Sequence, residues 1–275
     1  MSGFLDEMAR SSLERVEQAM RRESYVALEQ RAGQAAPSAP LKLSAGGFDV
    51  IAELKLRSPA TGRLGAAADD WRKRIADYAR GGAAAVSVLT EPSRFDGSLE
   101  HLRQAASTLA PFGIPAMRKD FLVHPYQLLE ARAAGAGGAL VILRMLSRDR
   151  ITEMMDAAAT HRMFVLLEAF DVDDLCLARE LMTRRGASSE MVLIGINCRD
   201  LQTLRVVPER FAELAPALPS KWPAVAESGV ACVADARRML QLGYRLALIG
   251  TALMSRDDPA ELLREIFSAT RTVQG

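Results

Sequence analysis

The sequence predicts a single (β/α)8 barrel with an N-terminal helical extension. From Phe48 onward, short apolar runs rich in β-branched residues alternate with longer helical stretches, eight times over. Strands joined by helix-length crossovers call for a parallel sheet, and eight such units in about 220 residues match the size of one closed barrel. Five charged residues, Glu53, Lys55, Lys119, Glu168 and Glu227, stand at or just past the ends of these runs. In a closed barrel those ends converge on one face, where active sites are built. A doubly wound open sheet is the competitor, but it usually has fewer units and a glycine-rich first turn. The first turn here, KLRSPATG, is not GxGxxG.

Residues 5–33 place Leu5, Met8, Leu13, Val16, Met20 and Leu28 at helical spacing among charges and are expected to be helical. The stretch GQAAPSAPLKLSAGG (33–47) is rich in proline and glycine and reads as a connector. Residues 1–47 are too few for a secure core, so they are expected to pack on the barrel formed by 48–275. The strands are expected at FDVIAEL (48–54), AAVSVL (84–89), IPAM (114–117), GALVIL (138–143), MFVLLE (163–168), MVLIGI (191–196), WPAVAE (222–227) and RLALIG (245–250). Gly81, Gly135 and Gly243 look like helix stops. His124-Pro125 looks like a helix start, and Asp171 like a helix N-terminal acid.

Lys plus Arg is 35 and Asp plus Glu is 34, a net charge of +1 that gives no strong pull toward nucleic acid or membrane. Cys176, Cys198 and Cys232 form no CxxC pair, and His101, His124 and His161 show no ligand spacing. Reduced thiols, no metal and a cytoplasmic location are expected. No run of 18 apolar residues occurs, and the first residues, MSGFLDEMARSS, are charged rather than signal-like.

The strand ends carry the chemistry. Glu53 and Lys55, two apart on a strand, share a face and bias each other's charge, although the pair also reads as a structural salt bridge. In MRKDF (117–121), Lys119 points one way while Arg118 and Asp120 point the other, and three consecutive charges are expected at a rim. Glu168 follows four apolar residues, a depth at which a carboxyl titrates high and suits general acid–base work. Asn197 can hold a hydroxyl and Arg199 can face a carboxylate. Glu227, Ser228 and Gly229 end the seventh run; Gly250 and Thr251 end the eighth. Loops there are the recurrent phosphate site of this barrel, so Gly229, Gly250 and Thr251 are the expected phosphate grip, with Ser58 assisting. Any one of these glycines alone also reads as a turn.

The strings IAELKLRSPATG, VSVLTEPSRFDGS, RKDFLVHPYQLLEARAAGA, LIGINCRDL, VAESGV and LIGTALM, in order from about residue 48, closely resemble the indole-3-glycerol phosphate synthase family of tryptophan biosynthesis. The resemblance implies conversion of 1-(2-carboxyphenylamino)-1-deoxyribulose 5-phosphate to indole-3-glycerol phosphate, CO2 and water, without a cofactor. It implies Lys119 as the acid for ring closure and Glu168 as the base. Lys55 would bind the anionic substrate and serve dehydration, Glu53 and Glu227 would orient the lysines, and Asn197 would hold sugar hydroxyls with Arg199 or Ser228 in support. The extension would help cover the aromatic end of the substrate. One departure is Cys198, where the family often has asparagine or serine. The expected partner is a small phosphorylated substrate, the chain acting as a monomer or weak homodimer. Two alternatives stay open: a Schiff-base phosphosugar aldolase using Lys119, and a non-catalytic phosphosugar-binding paralogue. Phosphoribosylanthranilate isomerase would need a first-strand cysteine that this chain lacks.

Overall fold

In the computed structural model the described residues are 3–58, 62–63, 70–186, 191–200 and 203–271. Eight parallel strands close into a barrel: β1 Asp49–Leu54, β2 Ala85–Leu89, β3 Ala116–Lys119, β4 Gly138–Ile142, β5 Phe164–Ala169, β6 Val192–Asn197, β7 Ala224–Glu227 and β8 Leu246–Ile249. Each strand pairs with its sequence neighbours, and β1 pairs with both β2 and β8, which completes the ring. The extension forms α1 Phe4–Arg22 and α2 Tyr25–Gln34. The barrel helices are α3 Trp71–Arg80, α4 Leu99–Leu109, α5 Tyr126–Ala133, α6 Arg148–Thr160, α7 Val172–Arg185, α8 Glu209–Leu214, α9 Val233–Gln241 and α10 Pro259–Thr270.

Strand alternation sorts the core into two layers. Val50, Ala52, Val86, Val88, Val165 and Leu167 face the helices, while Ile51, Ala85, Met117, Leu140, Leu166, Leu193, Val225 and Leu248 fill the barrel interior. The barrel interior is therefore packed, and a cavity lined by strand-end residues opens at the carboxyl ends of the strands.

Three features differ from the sequence expectations. The helical stretch 5–33 is two helices, because Ser24 breaks it: extended at φ −64°, ψ 158°, it accepts from Ala27 N and starts α2. The third strand begins later than expected and runs through Arg118 and Lys119. Arg118 and Asp120 are not at an exposed rim. Each is 2% exposed, and Arg118 donates to Thr90 Oγ1 at 3.1 Å, to the Gln127 carbonyl at 2.7 Å and to Glu130 at 3.0 Å. Pairing makes this burial tolerable. Gly81, Gly135 and Gly243 end helices as expected: Gly81 is the C-cap of α3, with Gly82 after it left-handed at φ 88°, and Gly135 and Gly243 themselves take positive φ. Pro125 and Asp171 cap α5 and α7.

The extension wraps the barrel from mouth to floor. At the mouth, Arg15 of α1 makes a two-pronged ion pair with Asp120, at 2.9 and 2.8 Å. α2 packs along α5, where Leu28 and Ala32 meet Tyr126 and Leu129. Beyond it, Arg132 holds the Ala35 and Ala36 carbonyls, and Asp49 accepts from Ser44 N and Oγ. Leu41 enters the interior cluster.

Candidate active site

The strand ends deliver the expected residues to one place. A cavity of about 610 Å³ opens at the carboxyl face of the barrel, lined by Glu53, Lys55, Lys119, Glu168, Asn197, Arg199, Glu227, Ser228, Gly229, Gly250 and Thr251. The side chain of Ser58 lies outside the described residues.

Lys119, the last residue of β3, sits between two carboxyls. Its Nζ donates to Glu227 Oε2 at 3.4 Å and lies 4.0 Å from Glu168 Oε2. The other Glu168 oxygen accepts from Asn197 Nδ2. Asn197 is fixed in turn: its Oδ1 accepts from the Arg199 N–H at 2.9 Å and from Ser228 Oγ at 3.1 Å. That network sets which way the amide faces, so Asn197 holds Glu168 in one orientation. On the other side, Lys55 Nζ lies 3.1 Å from Glu53 Oε1 and donates to Thr251 Oγ1 at 3.3 Å. The Arg199 guanidinium donates to the Leu204 carbonyl at 2.7 Å. Ser228 and Gly229 both take positive φ, 66° and 74°. Strain of this kind at a non-glycine residue persists where surrounding structure imposes it, often at functional sites.

Two glycines make room for the carboxyls. A Cβ on Gly195 of β6 would lie 2.1 Å from Glu227 Oε1, and one on Gly250 would lie 2.3 Å from Glu53 Oε1. Gly195 pairs in register with Glu168 of β5, so the Glu227 carboxyl drops into the space beside Glu168. Gly250, expected as part of a phosphate grip, thus also houses Glu53.

Charge follows from this crowding. Burial pushes Glu227 up to about 8, helped by the Glu168 charge and opposed by Lys119. Burial would pull Lys119 down, yet Glu168, Glu227 and Glu53 outweigh it and the ammonium is stabilised. Burial would likewise raise Glu53, but Lys55 and Lys119 hold it low. One Glu168 oxygen and one Glu227 oxygen are buried without a hydrogen-bond partner, which leaves unused acceptor or donor capacity at the floor of the site.

The remaining wall is apolar and went unnoticed in the sequence. Phe4, Leu5, Phe95, Phe121, Leu140, Ile142 and Phe170 line the cavity opposite the polar groups. Phe121 anchors this wall, with Phe4 edge-on at 5.6 Å and Phe95 at 6.2 Å. The signal was present: Phe121 and Phe170 each follow within two residues of a strand-end charge, Lys119 or Glu168. Leu204 and Val206 line it from a loop bridged between Arg199 and Val206. Among the described residues no group of His, Cys, Asp and Glu is placed to hold a metal ion, and no helix is long and apolar enough to cross a membrane.

Fold and site together define a (β/α)8 barrel whose mouth pairs two lysines with buried carboxyls. A family model for indole-3-glycerol phosphate synthase matches residues 5–266. Among similar proteins, the indole-3-glycerol phosphate synthase of a Nocardioides species is 40% identical over 222 residues, covering 81% of each chain. Those of Mycobacterium leprae and Mycobacterium tuberculosis are 36% and 37% identical over 253 residues, covering 90% of this chain and 89% of theirs. The chain belongs to the indole-3-glycerol phosphate synthase family. Among solved structures, 3-hexulose-6-phosphate synthase from Salmonella typhimurium superposes with a TM-score of 0.62 at 15% identity, covering 81% of this chain and 98% of that one. Thiamine phosphate pyrophosphorylase from Pyrococcus furiosus gives 0.57 at 12%, covering 81% and 95%. Both express a shared fold.

Proposed function

We propose that the protein converts 1-(2-carboxyphenylamino)-1-deoxyribulose 5-phosphate to indole-3-glycerol phosphate, releasing CO2 and water. One observation carries this reading: a half-buried ammonium, Lys119, is held between Glu168 and Glu227 at the floor of a cavity that is apolar on one wall and polar on the other. The apolar wall suits the aromatic ring, and the Lys55, Thr251, Ser228 and Gly229 side suits the sugar phosphate. Closure forms a carbon–carbon bond between the ring carbon bearing the carboxylate and the ketone carbon. Lys119 gives its proton to the ketone oxygen, and CO2 departs from the ring carbon. Dehydration then removes the new hydroxyl as water, with Lys55 as the acid. Glu168 takes the proton from the newly closed ring. Asn197 keeps Glu168 aimed, Glu227 and Glu53 hold the two ammonium groups, and Arg199 supports the substrate through charge. All the acid, base and binding groups come from one barrel mouth, so the reading needs neither a second chain nor a cofactor. It carries a cytoplasmic location with it.

The test is direct. The purified protein, given the aminodeoxyribulose phosphate, is expected to develop indole fluorescence, and Lys119→Ala is expected to abolish that signal while keeping the native circular dichroism spectrum. Wild-type-like turnover in the variant would remove Lys119 from its role as the acid. The aldolase reading is disfavoured because a Schiff base needs a free amine, and the surrounding carboxyls keep Lys119 protonated. Borohydride with a ketose phosphate is accordingly expected to trap no adduct; a trapped lysine would revive that reading.

A further inference from the structure

Ser87, in the middle of β2, has no part in the chemistry above. Its neighbours Val86 and Val88 face the helices, whereas Ala85 and Leu89 face inward. Alternation therefore points Ser87 into the barrel. The residue is fully buried and its Oγ has no partner. In the ladder it stands between Glu53 of β1 and Met117 of β3, at the level of the strand-one carboxylate. Glu53, however, leans toward β8 into the space that Gly250 leaves, and no direct bond to Ser87 forms. A hydroxyl sealed in without a partner destabilises a fold, and native interiors satisfy such groups with ordered water held by several polar partners.

We propose that Ser87 holds a buried water against the Glu53 carboxylate and is thereby a positioning residue for the Glu53–Lys55 pair. The water accepts from, or donates to, Ser87 Oγ and donates to Glu53. Other groups bear on Glu53 from every side. Lys55 comes from its own strand end, Lys119 from β3 and Arg199 from past β6, while the Glu227 carboxyl on β7 opposes them. Tyr78 of α3 donates to its backbone carbonyl at 3.4 Å. When an anionic substrate draws the Lys55 ammonium away, the water remains as a fixed donor that keeps Glu53 ionised and in place. This proposal rests on the function read above.

Two measurements test it. A high-resolution crystal structure of the wild-type protein is expected to show an ordered water within hydrogen-bond reach of both Ser87 Oγ and a Glu53 oxygen. A site without that water overturns the proposal. In Ser87→Ala, the acidic limb of the kcat/KM profile is expected to move upward by about one pH unit, the worth of one hydrogen bond to a charged acceptor. Ser87→Cys, with a weaker donor of similar size, is expected to fall between the two. A limb that stays put in both variants overturns the proposal even if turnover drops. Absence of turnover in the wild type would instead sink the reading of function, while the crystal would still decide the water.

Discussion

Replacing Gly195 with alanine should disable the site without unfolding the barrel. The added methyl carbon would sit 2.1 Å from Glu227 Oε1 and 3.1 Å from its Cδ. Ordinary contact needs about 3.4 Å or more, so the carboxyl must withdraw by roughly 1 Å. The Lys119–Glu227 contact, already 3.4 Å, has no slack to absorb that movement. A displacement of ~1 Å at a reacting group costs on the order of 100-fold in rate. Stability should change much less. The obstructing atom is the far end of a flexible side chain, and alanine restricts the unfolded chain more than glycine, a gain of about 0.4–1 kcal/mol. The assay is kcat/KM by indole fluorescence beside thermal melting, in Gly195→Ala, Glu227→Ala and the double variant. In the Glu227→Ala background the methyl meets only the flexible end of Leu166, at 3.1 Å, so it should cost much less there; strong coupling is the signature. A Gly195→Ala enzyme within threefold of wild type would refute the idea that this glycine exists to seat the carboxyl.

Further outcomes follow from the same geometry. The native state keeps a proton on Glu227 up to about 8, which the unfolded chain releases near 4.5. Its contribution to stability is therefore full below about 4.5 and lost as pH rises through about 8; melting curves across this range should slope downward in wild type and flatten in Glu227→Gln, and parallel slopes would count against the shift. Arg15→Met removes one of two guanidinium partners of the buried Asp120, leaving Arg118, the Thr90 hydroxyl and the Phe121 N–H, and should cost about 2–3 kcal/mol in denaturant titrations at neutral pH. Burial would raise Asp120, but Arg15 and Arg118 hold it at about 2, so that loss should shrink as pH falls toward 2; a pH-independent difference would contradict this. Phe4→Ala opens the apolar wall from α1 and should raise KM several-fold with kcat nearly unchanged, the pattern of lost uniform binding. A matching fall in kcat would place Phe4 in the chemistry instead.

The barrel and its polar mouth were legible because both depend on local periodicity. A period of two along each strand assigns faces, and a charge placed just after an apolar run can only be at a strand end. That logic found Glu53, Lys119, Glu168 and Glu227, and it separated Lys119 from Arg118 and Asp120. It failed where the deciding contact comes from elsewhere in the chain. Sequence alone puts Arg118 and Asp120 at a rim because their partners, Thr90, Glu130 and Arg15, lie 28, 12 and 105 residues away. The break at Ser24 was hidden because apolar spacing continues across it while the capping hydroxyl interrupts the backbone. Phe4 joins the wall only because α1 crosses the mouth.

The glycines show the limit most sharply. In a buried strand a glycine ordinarily reads as a weak point, with no side chain to pack and extra backbone freedom to lose. Gly195 contradicts that reading, and Gly250, just past β8, repeats the device, since each vacancy is filled by a carboxyl from a neighbouring strand. A close-packed interior has no other space for a charged side chain at that level. Glu227 can stand beside Glu168, and hold its proton there, only because β6 gives up a side chain between them. Acid strength at this site is thus set partly by a residue that has no functional group. A chain with every lysine and glutamate in place but alanine at 195 and 250 would keep the composition of the site and lose its geometry.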